Sequence, residues 1–426
     1  FTGNTGTGKT VNVMQYLSRL SDTYQPFTLT FSAATTANQT EDFMLSKLFK
    51  RRQKVFGPPL GKQAILFVDD LNMPSRERFF AQPPIELLRQ WLDYGGFYNH
   101  HTLQFHHIED TTLVAAMAPP GGGRNPITAR MVRHLHQVHH TDLSASSLHT
   151  IFHTIAQWRM ESFPAPVAAL ASSVVTATVQ VYERICVELL PTPAKSHYTF
   201  NLRDLAAVVL GIVSAHGPAV ADEMMLVRLW IHETRRAFSD RLVTAEDVES
   251  FEGVMRETVR QVFHTEWDDA VGTRKRILWG DYLDRESEKP KYTEVADFDD
   301  ALNVMERGLA EHAEETTNHS KLVLFGDAVE HVSRISRVLR QPGGHALLLG
   351  VGGSGRQSLT HLAAHLAEHR VVGMGGAGEW REWLKQLLLR AGLEEEPTVM
   401  LLRDSELTEA VWWEDVNNVL NGGEVN

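Results

Sequence analysis

The sequence predicts an α/β fold with a parallel-sheet core, an all-helical domain after it, and the start of a second α/β unit. Three observations carry this expectation. Short apolar runs alternate with amphipathic stretches from the first residues to about His140, the pattern of parallel strands joined by crossover helices. From Ser144 to about Val271 strand signals vanish and helical periodicity takes over. A glycine-rich loop then occurs twice, at Gly3 and at Gly350, each time ahead of a helical pattern; that separation is too long for a solenoid repeat and suits a whole module.

The elements follow in order. Residues 27–32, 64–69, 111–117 and 135–139 read as strands, being brief, β-branched or aliphatic, and followed by turn residues. Residues 42–54 and 85–94 read as helices, the second stopped by Gly95 and Gly96. In the helical region the periodic stretches include 148–161, 165–188, 203–214 and 224–239. Residues 275–298 are polar, contain Pro290 and lack periodicity, which reads as a linker. A helix at 329–340 and a strand at 345–349 open the second unit. The predicted domains are thus a large α/β domain at 1–142, an all-helical domain at 143–274, a linker at 275–320, and the amino-terminal part of a second module at 321–426.

A chain of 426 residues, 43% hydrophobic and 22% charged, can bury a sizeable core and hold two or three globular units. Its net charge of −12 and pI near 6.0 exclude nucleic acid or an anionic membrane as the main partner, and the short basic run 50–54 reads as a solvated helix face. Cys186, the single cysteine, cannot form an intramolecular disulfide and reads as a small buried hydrophobe in a reducing compartment. There is no amino-terminal signal pattern and no apolar run near the roughly 18 residues that span a bilayer, so the expectation is a soluble intracellular protein. Phe1 is not Met, and only Phe1 and Thr2 remain of the strand that must precede Gly3, so the chain reads as a piece of something longer. Because that strand should be central in its sheet, the piece is expected to fold poorly alone.

Gly3-Asn4-Thr5-Gly6-Thr7-Gly8-Lys9-Thr10 fits G-x-x-x-x-G-K-[ST] in full. Its glycines let backbone N–H groups turn inward around phosphate oxygens, Lys9 supplies a point charge for the outer phosphates, and Thr10 offers a hydroxyl to Mg²⁺. The apolar strand Ile65-Leu66-Phe67-Val68 ends in Asp69 and Asp70. Asp69 is placed to hold the magnesium shell. Asp70 stands where a longer Glu would orient water, and Ala118, ending the third strand, cannot hydrogen-bond near a γ-phosphate; both features predict slow or absent turnover.

Arg130 and Arg133 precede the last predicted strand, where a ring assembly would point an arginine at a neighbour's nucleotide; the plain alternative is a surface pair. Arg203, opening a helix in Asn201-Leu202-Arg203-Asp204-Leu205, could reach back to the phosphates, or simply form a helix-start ion pair with Asp204. The second loop, Gly350-Val351-Gly352-Gly353-Ser354-Gly355-Arg356-Gln357-Ser358, keeps the glycines, but has Arg for Lys and Gln for the magnesium-ligating hydroxyl. Its partner strand ends in Asp404 with Ser405 in place of a second acid, so phosphate binding without efficient cleavage is expected. His361, His365 and His369 share one helix face and His134, His136, His139 and His140 cluster near a strand; without H-E-x-x-H these read as packed or solvated.

Taken together, these motifs resemble the dynein heavy chains of the AAA+ P-loop class, specifically the third and fourth modules of axonemal members. The carriers are Ile65-Leu66-Phe67-Val68-Asp69-Asp70-Leu71-Asn72-Met73-Pro74, then Ala115 through Asn125, Tyr198 through Leu205, Leu229-Trp230-Ile231-His232-Glu233, and Gly350 through Leu359. The likeness runs over nearly the whole chain and is thinnest at 371–397. It implies that Gly3 to Thr10 with Asp69 and Asp70 bind ATP and Mg²⁺ in the third module, that Arg133 faces the second module's nucleotide, and that Arg203 is the lid's phosphate sensor. It implies a role gating a microtubule motor in the ciliary axoneme and cytoplasm, with neighbouring AAA+ modules and dynein intermediate and light chains as partners, and neither nucleic acid nor membrane.

Overall fold

The apolar run that ends in Asp69 becomes the centre of a sheet. In the computed structural model, which describes residues 1–272, 276–284, 290–315, 322–341, 343–374, 380–407 and 409–422, the chain divides into two units, 1–143 with 403–426, and 144–402. In the first unit β1 (Thr2–Gly3) leads through the phosphate loop into α1 (Lys9–Ser18), followed by β2 (Tyr24–Thr30), α2 (Ala37–Lys47), β3 (Phe49–Arg52), β4 (Val55–Gly57), β5 (Gln63–Asp69), α3 (Pro83–Tyr94), β6 (Gly96–Tyr98), β7 (Phe105–Ile108), β8 (Thr111–Ala115), α4 (Ala129–Val132) and β9 (His139–His140).

Strands β2, β5 and β8 run parallel in that order, Thr30 opposite Asp69 and Val68 opposite Ala115. A parallel bridge from Thr2 to Met117 and the parallel pair β1–β9 place β1 between the β8 side and β9. Because β5 is flanked by strands on both sides and covered on both faces, successive residues serve different cores. Ala64, Leu66 and Val68 pack with Met44, Ile85, Leu88 and Trp91, whereas Phe67 packs with Val13 and Leu17 of α1. Helix α3 begins with proline in its first turn and stops at Gly95 in the left-handed region at φ 70°, as its sequence predicts.

Several expectations need correction. The helix read at 42–54 runs from Ala37, capped by the Thr36 hydroxyl and the reciprocal Gln39 side chain, and ends at Lys47. The basic run lies instead in an antiparallel β3–β4 hairpin turning at Lys54, φ 62°, within a second small sheet ordered β3, β4, β7, β6. The strand read at 135–139 reduces to β9. The strand read at 345–349 is unpaired among the described residues: Leu347 and Leu349 are exposed, since an apolar run becomes a strand only where a neighbour supplies ladder partners.

In the second unit α5 (Ala145–Arg159), α6 (Ala165–Ala168), α7 (Ala171–Glu188), α8 (Leu202–Val213), α9 (Glu223–Phe238), α10 (Ala245–Val262) and α11 (Trp267–Val271) form the helical region. The single helix read at 165–188 is broken between α6 and α7. Trp230 of α9 is fully buried at the heart of this core and donates its indole N–H to Thr178 Oγ1 at 3.0 Å, so this indole leaves no unpaired donor. Cys186 is half-buried rather than buried, and burial raises its thiol pKa.

Much of the segment read as a linker is packed. Its described part forms the antiparallel pair β10 (Trp279–Gly280) and β11 (Thr293–Glu294), then α12 (Phe298–Glu315). Ile277 and Trp279 join the helical core, while Leu278 and Tyr282 join a separate core with α12, α13 (Gly326–Arg340) and α14 (Arg356–Leu366). Residues 273–275, 285–289 and 316–321 fall outside the described residues. The unit closes with the parallel pair of β12 (Arg370–Gly373) and β13 (Thr398–Leu401), with α15 (Trp380–Leu393) between them. Helix α16 (Ala410–Gly422) belongs to the first unit, where Glu414 accepts from the hydroxyls of Ser32 at 3.2 Å and Thr35 at 3.0 Å. No described helix is long and apolar enough to cross a membrane.

Candidate functional site: two phosphate loops

The first loop is shaped by close backbone approach. A Cβ on Gly3 would lie 2.5 Å from the His140 carbonyl oxygen, so only glycine lets β1 sit this near β9. Gly8 caps α1 in the left-handed region, φ 79°, without any side-chain cap; the first N–H groups of a ten-residue helix are therefore left for a ligand. Lys9 is only 8% exposed and its Nζ donates to Gly3 O at 2.8 Å and Asn4 O at 2.6 Å, which folds the ammonium over the loop it serves. Asn4 Nδ2 in turn donates to both oxygens of Asp142, at 3.0 and 2.9 Å.

Asp69 meets Thr10 here. The Thr10 hydroxyl donates to Asp69 Oδ2 at 2.8 Å, and the Asp70 N–H donates to Asp69 Oδ1 at 3.0 Å. Burial pushes the Asp69 carboxyl above its usual pKa, opposed by the Thr10 hydroxyl and aided by the Asp70 charge. The same burial lowers the pKa of Lys9, while Asp69 and Asp70 pull it back up. A hydroxyl and a carboxylate oxygen side by side are hard oxygen donors of the kind Mg²⁺ takes, next to a cation and free helix N–H groups suited to phosphate; the residues fit a magnesium nucleotide.

Asp70 adopts a left-handed backbone, φ 51°, a conformation aspartate tolerates better than most residues. Its Oδ1 lies 3.7 Å from Arg124 Nη2. Arg124 follows three glycines of positive φ, Gly121 to Gly123, which turn the chain back toward β5, and it is close enough to weigh on the Lys9 ammonium. Arg124 is the site residue that motif reading missed; the glycine run just before it was the available signal. Ala118 is buried and contributes only its carbonyl oxygen, which accepts from Asn72 Nδ2 at 2.8 Å.

The two candidate arginines differ from each other. Arg133 is ion-paired with Asp93 at the end of α3, and His134 Nε2 lies 2.9 Å from the same Asp93 oxygen; Arg130 is exposed. Arg203 is exposed on the first turn of α8, its N–H bonded to Asn201 Oδ1 at 2.8 Å. The plain alternative for Arg203, an ion pair with Asp204, is not formed: Asp204 caps the Asn201 N–H at 2.8 Å and pairs with Arg241.

The second loop repeats the frame in looser form. Gly355, φ 78°, caps α14 as Gly8 caps α1. Arg356 Nη1 and Nη2 reach Leu348 O and Val351 O, each at 3.4 Å, so the guanidinium lies over its own loop as Lys9 does. Val351 to Ser354 and Gln357 are exposed, and Ser358 is half-buried. Asp404 and Ser405 stand in an exposed turn, where Arg403 Nε donates to Glu406 Oε1 at 2.9 Å. Of the histidines read on one helix face, His361 and His365 lie 6.0 and 5.3 Å from the His312 ring, whereas His369 falls beyond the end of α14.

Comparison with known proteins accords with this geometry. Residues 1–143 match a family described as P-loop containing dynein motor region, residues 320–426 the P-loop containing dynein motor region D4, and residues 174–273 the AAA+ lid domain. Dynein axonemal heavy chain 1 of Homo sapiens is 44% identical over 445 residues, covering 99% of this chain and 10% of that protein. Dynein axonemal heavy chain 6 of Homo sapiens is 41% identical over 434 residues, 100% of this chain and 10% of that protein, and dynein axonemal heavy chain 3 of Mus musculus 40% over 443 residues, 100% and 11%. The chain thus spans about a tenth of the length of the curated relatives it matches. With two phosphate loops on P-loop modules, a helical lid and this likeness along nearly its whole length, the chain belongs to the axonemal dynein heavy chains of the AAA+ class.

Proposed function

We propose that the first loop, Gly3 to Thr10 with Asp69, binds ATP with Mg²⁺ as the third module of a dynein motor, and that the second loop, with Asp404, binds nucleotide in the fourth. The observation that carries this reading is the Thr10 hydroxyl held 2.8 Å from the Asp69 carboxylate beside a buried Lys9. When bound, Mg²⁺ would supply charge neutralisation to the phosphates; Lys9 and the helix N–H groups bind them, and Asp69 and Thr10 hold the metal. The domain limits are those predicted above, 1–142, 143–274, 275–320 and 321–426.

On this reading the segment regulates ATP-dependent, minus-end-directed movement along microtubules in cilia and flagella rather than driving it. Asp70 orients water weakly, Arg133 serves the neighbouring module's nucleotide once released from Asp93, and Arg203 reports lid closure. Its partners are neighbouring AAA+ modules, the microtubule through other regions, and intermediate and light chains. A second reading, a nucleotide-binding module that does not hydrolyse, is favoured by Ala118 at the γ-phosphate position and by Arg356, Gln357 and Ser405. To decide between them, ATP binding and turnover are measured in a motor chain holding both complete modules. Lys9→Ala should lower magnesium-dependent ATP affinity at the first loop at least tenfold; unchanged affinity sinks the first reading, and lost affinity with unchanged turnover favours the second.

A further inference from the structure

Apart from the phosphate loops, one cluster in the first unit has the composition of a transition-metal site. Asp42 of α2 and His100 and His101, in the turn between β6 and β7, each place one ligand atom within 4.8 Å of the other two; no other such group of three occurs among the described residues. His100 Nε2 lies 3.9 Å from one Asp42 oxygen and His101 Nε2 3.9 Å from the other, and the two rings are 3.8 Å apart. Zinc bonds of ~2.1 Å set neighbouring tetrahedral ligands about 3.4 Å apart, so three atoms already within 4.8 Å of one another need close by at most about 1.4 Å.

The feature that separates this cluster from a chance meeting of surface groups is what lies behind it. Glu41, 2% exposed, accepts from the His100 N–H at 3.2 Å and is 3.0 Å from His100 Nδ1. The other Glu41 oxygen is fixed by Asn99 Nδ2 at 2.6 Å, and Asn99 Oδ1 accepts from the Thr102 N–H at 2.7 Å and hydroxyl at 2.8 Å, so the whole turn is tied down. A buried carboxylate can only accept, so Nδ1 carries the proton and Nε2 presents its lone pair toward Asp42 and His101. A carboxylate behind a ligating imidazole is the usual second support of histidine metal sites.

We propose that Asp42, His100 and His101 bind one divalent ion of the zinc class, with Glu41 as the positioning residue for His100 and the remaining coordination position open to water. Two imidazoles and one carboxylate suit Zn²⁺ over the oxygen-seeking Mg²⁺ or Ca²⁺. The ion ties α2 to the β6–β7 turn.

The test is equilibrium dialysis of a chelator-stripped motor chain holding both complete modules against micromolar Zn²⁺, with metal content compared among variants. His101→Ala, at a side chain 71% exposed, should lose one equivalent of zinc, and His107→Ala, exposed on β7 outside the cluster, should keep it. Glu41→Gln should weaken binding about 10- to 100-fold. Equal zinc in the wild type and His101→Ala, or equal loss in His101→Ala and His107→Ala, overturns the site; unchanged affinity in Glu41→Gln overturns the positioning role.

Discussion

The two phosphate loops share a glycine frame and a cation folded over its own carbonyls, yet their surroundings differ. The first opens on β1, which pairs with β9, its Lys9 is buried, and its partner acid Asp69 ends the central strand β5. Around the second, the loop is open to solvent and the preceding apolar run makes no ladder among the described residues. What secures the second module is helix packing: α13 is held to α9 by the Glu233–Arg337 ion pair, with the Tyr292 hydroxyl donating to Glu233 at 2.7 Å. The glycine motif thus sets the local turn, and burial around it decides how rigidly that turn is held.

Three perturbations should break or sharpen this contrast. The largest effect is expected at Glu233, fully buried and so close to Gly211 that a Cβ there would overlap its carboxylate. Glu233→Ala leaves the Arg337 guanidinium buried without its anion, which typically costs ~3–5 kcal/mol. Chemical denaturation of the second unit's transition should show this, and a loss below about 1 kcal/mol would mean that the packing of α13, not its charge pair, secures the module.

Next comes a pair of glycine substitutions. Gly3→Ala drives a Cβ into backbone at 2.5 Å and should destabilise the first unit by ~1–3 kcal/mol. Gly352→Ala meets no atom within 4 Å and should stay within ~0.5 kcal/mol. Equal thermal shifts for the two variants would dissolve the contrast between the loops.

The smallest effect is a pH slope. The folded-state pKa of Asp69 is raised above its unfolded value of 3.8, so the folded form holds its proton more tightly and stability declines as pH rises from 3.8 through the raised value. Asp69→Asn should flatten that part of the ligand-free stability profile. A profile unchanged by the substitution would place the acid dependence on other groups.

How much of this the residues disclosed depends on where each interaction closes. Gly3 to Thr10 act within eight residues, and Pro83 to Gly95 within one helix, so motif and capping rules reach them. The β3–β4 hairpin turns on Lys54, a residue with no turn signature, and its strands are too short for periodicity, so a basic stretch passed for a helix face. In the segment read as a linker, Trp279 and Tyr282 are fully buried, but their burial depends on helices far along the chain, invisible to a local window. At the candidate site the same holds: Asp93, which occupies Arg133, and Arg124, which approaches Asp70, become neighbours only through the sheet.

The two-residue strand β1 joins β8 to β9 and also opens the first phosphate loop. One of its two carbonyls, that of Gly3, is a resting partner of the Lys9 ammonium. An incoming anion that draws this ammonium away therefore alters the bonding of the narrowest seam in the sheet. Occupancy of the loop and the alignment of β9 against the remaining strands share a single hinge pin, two residues long.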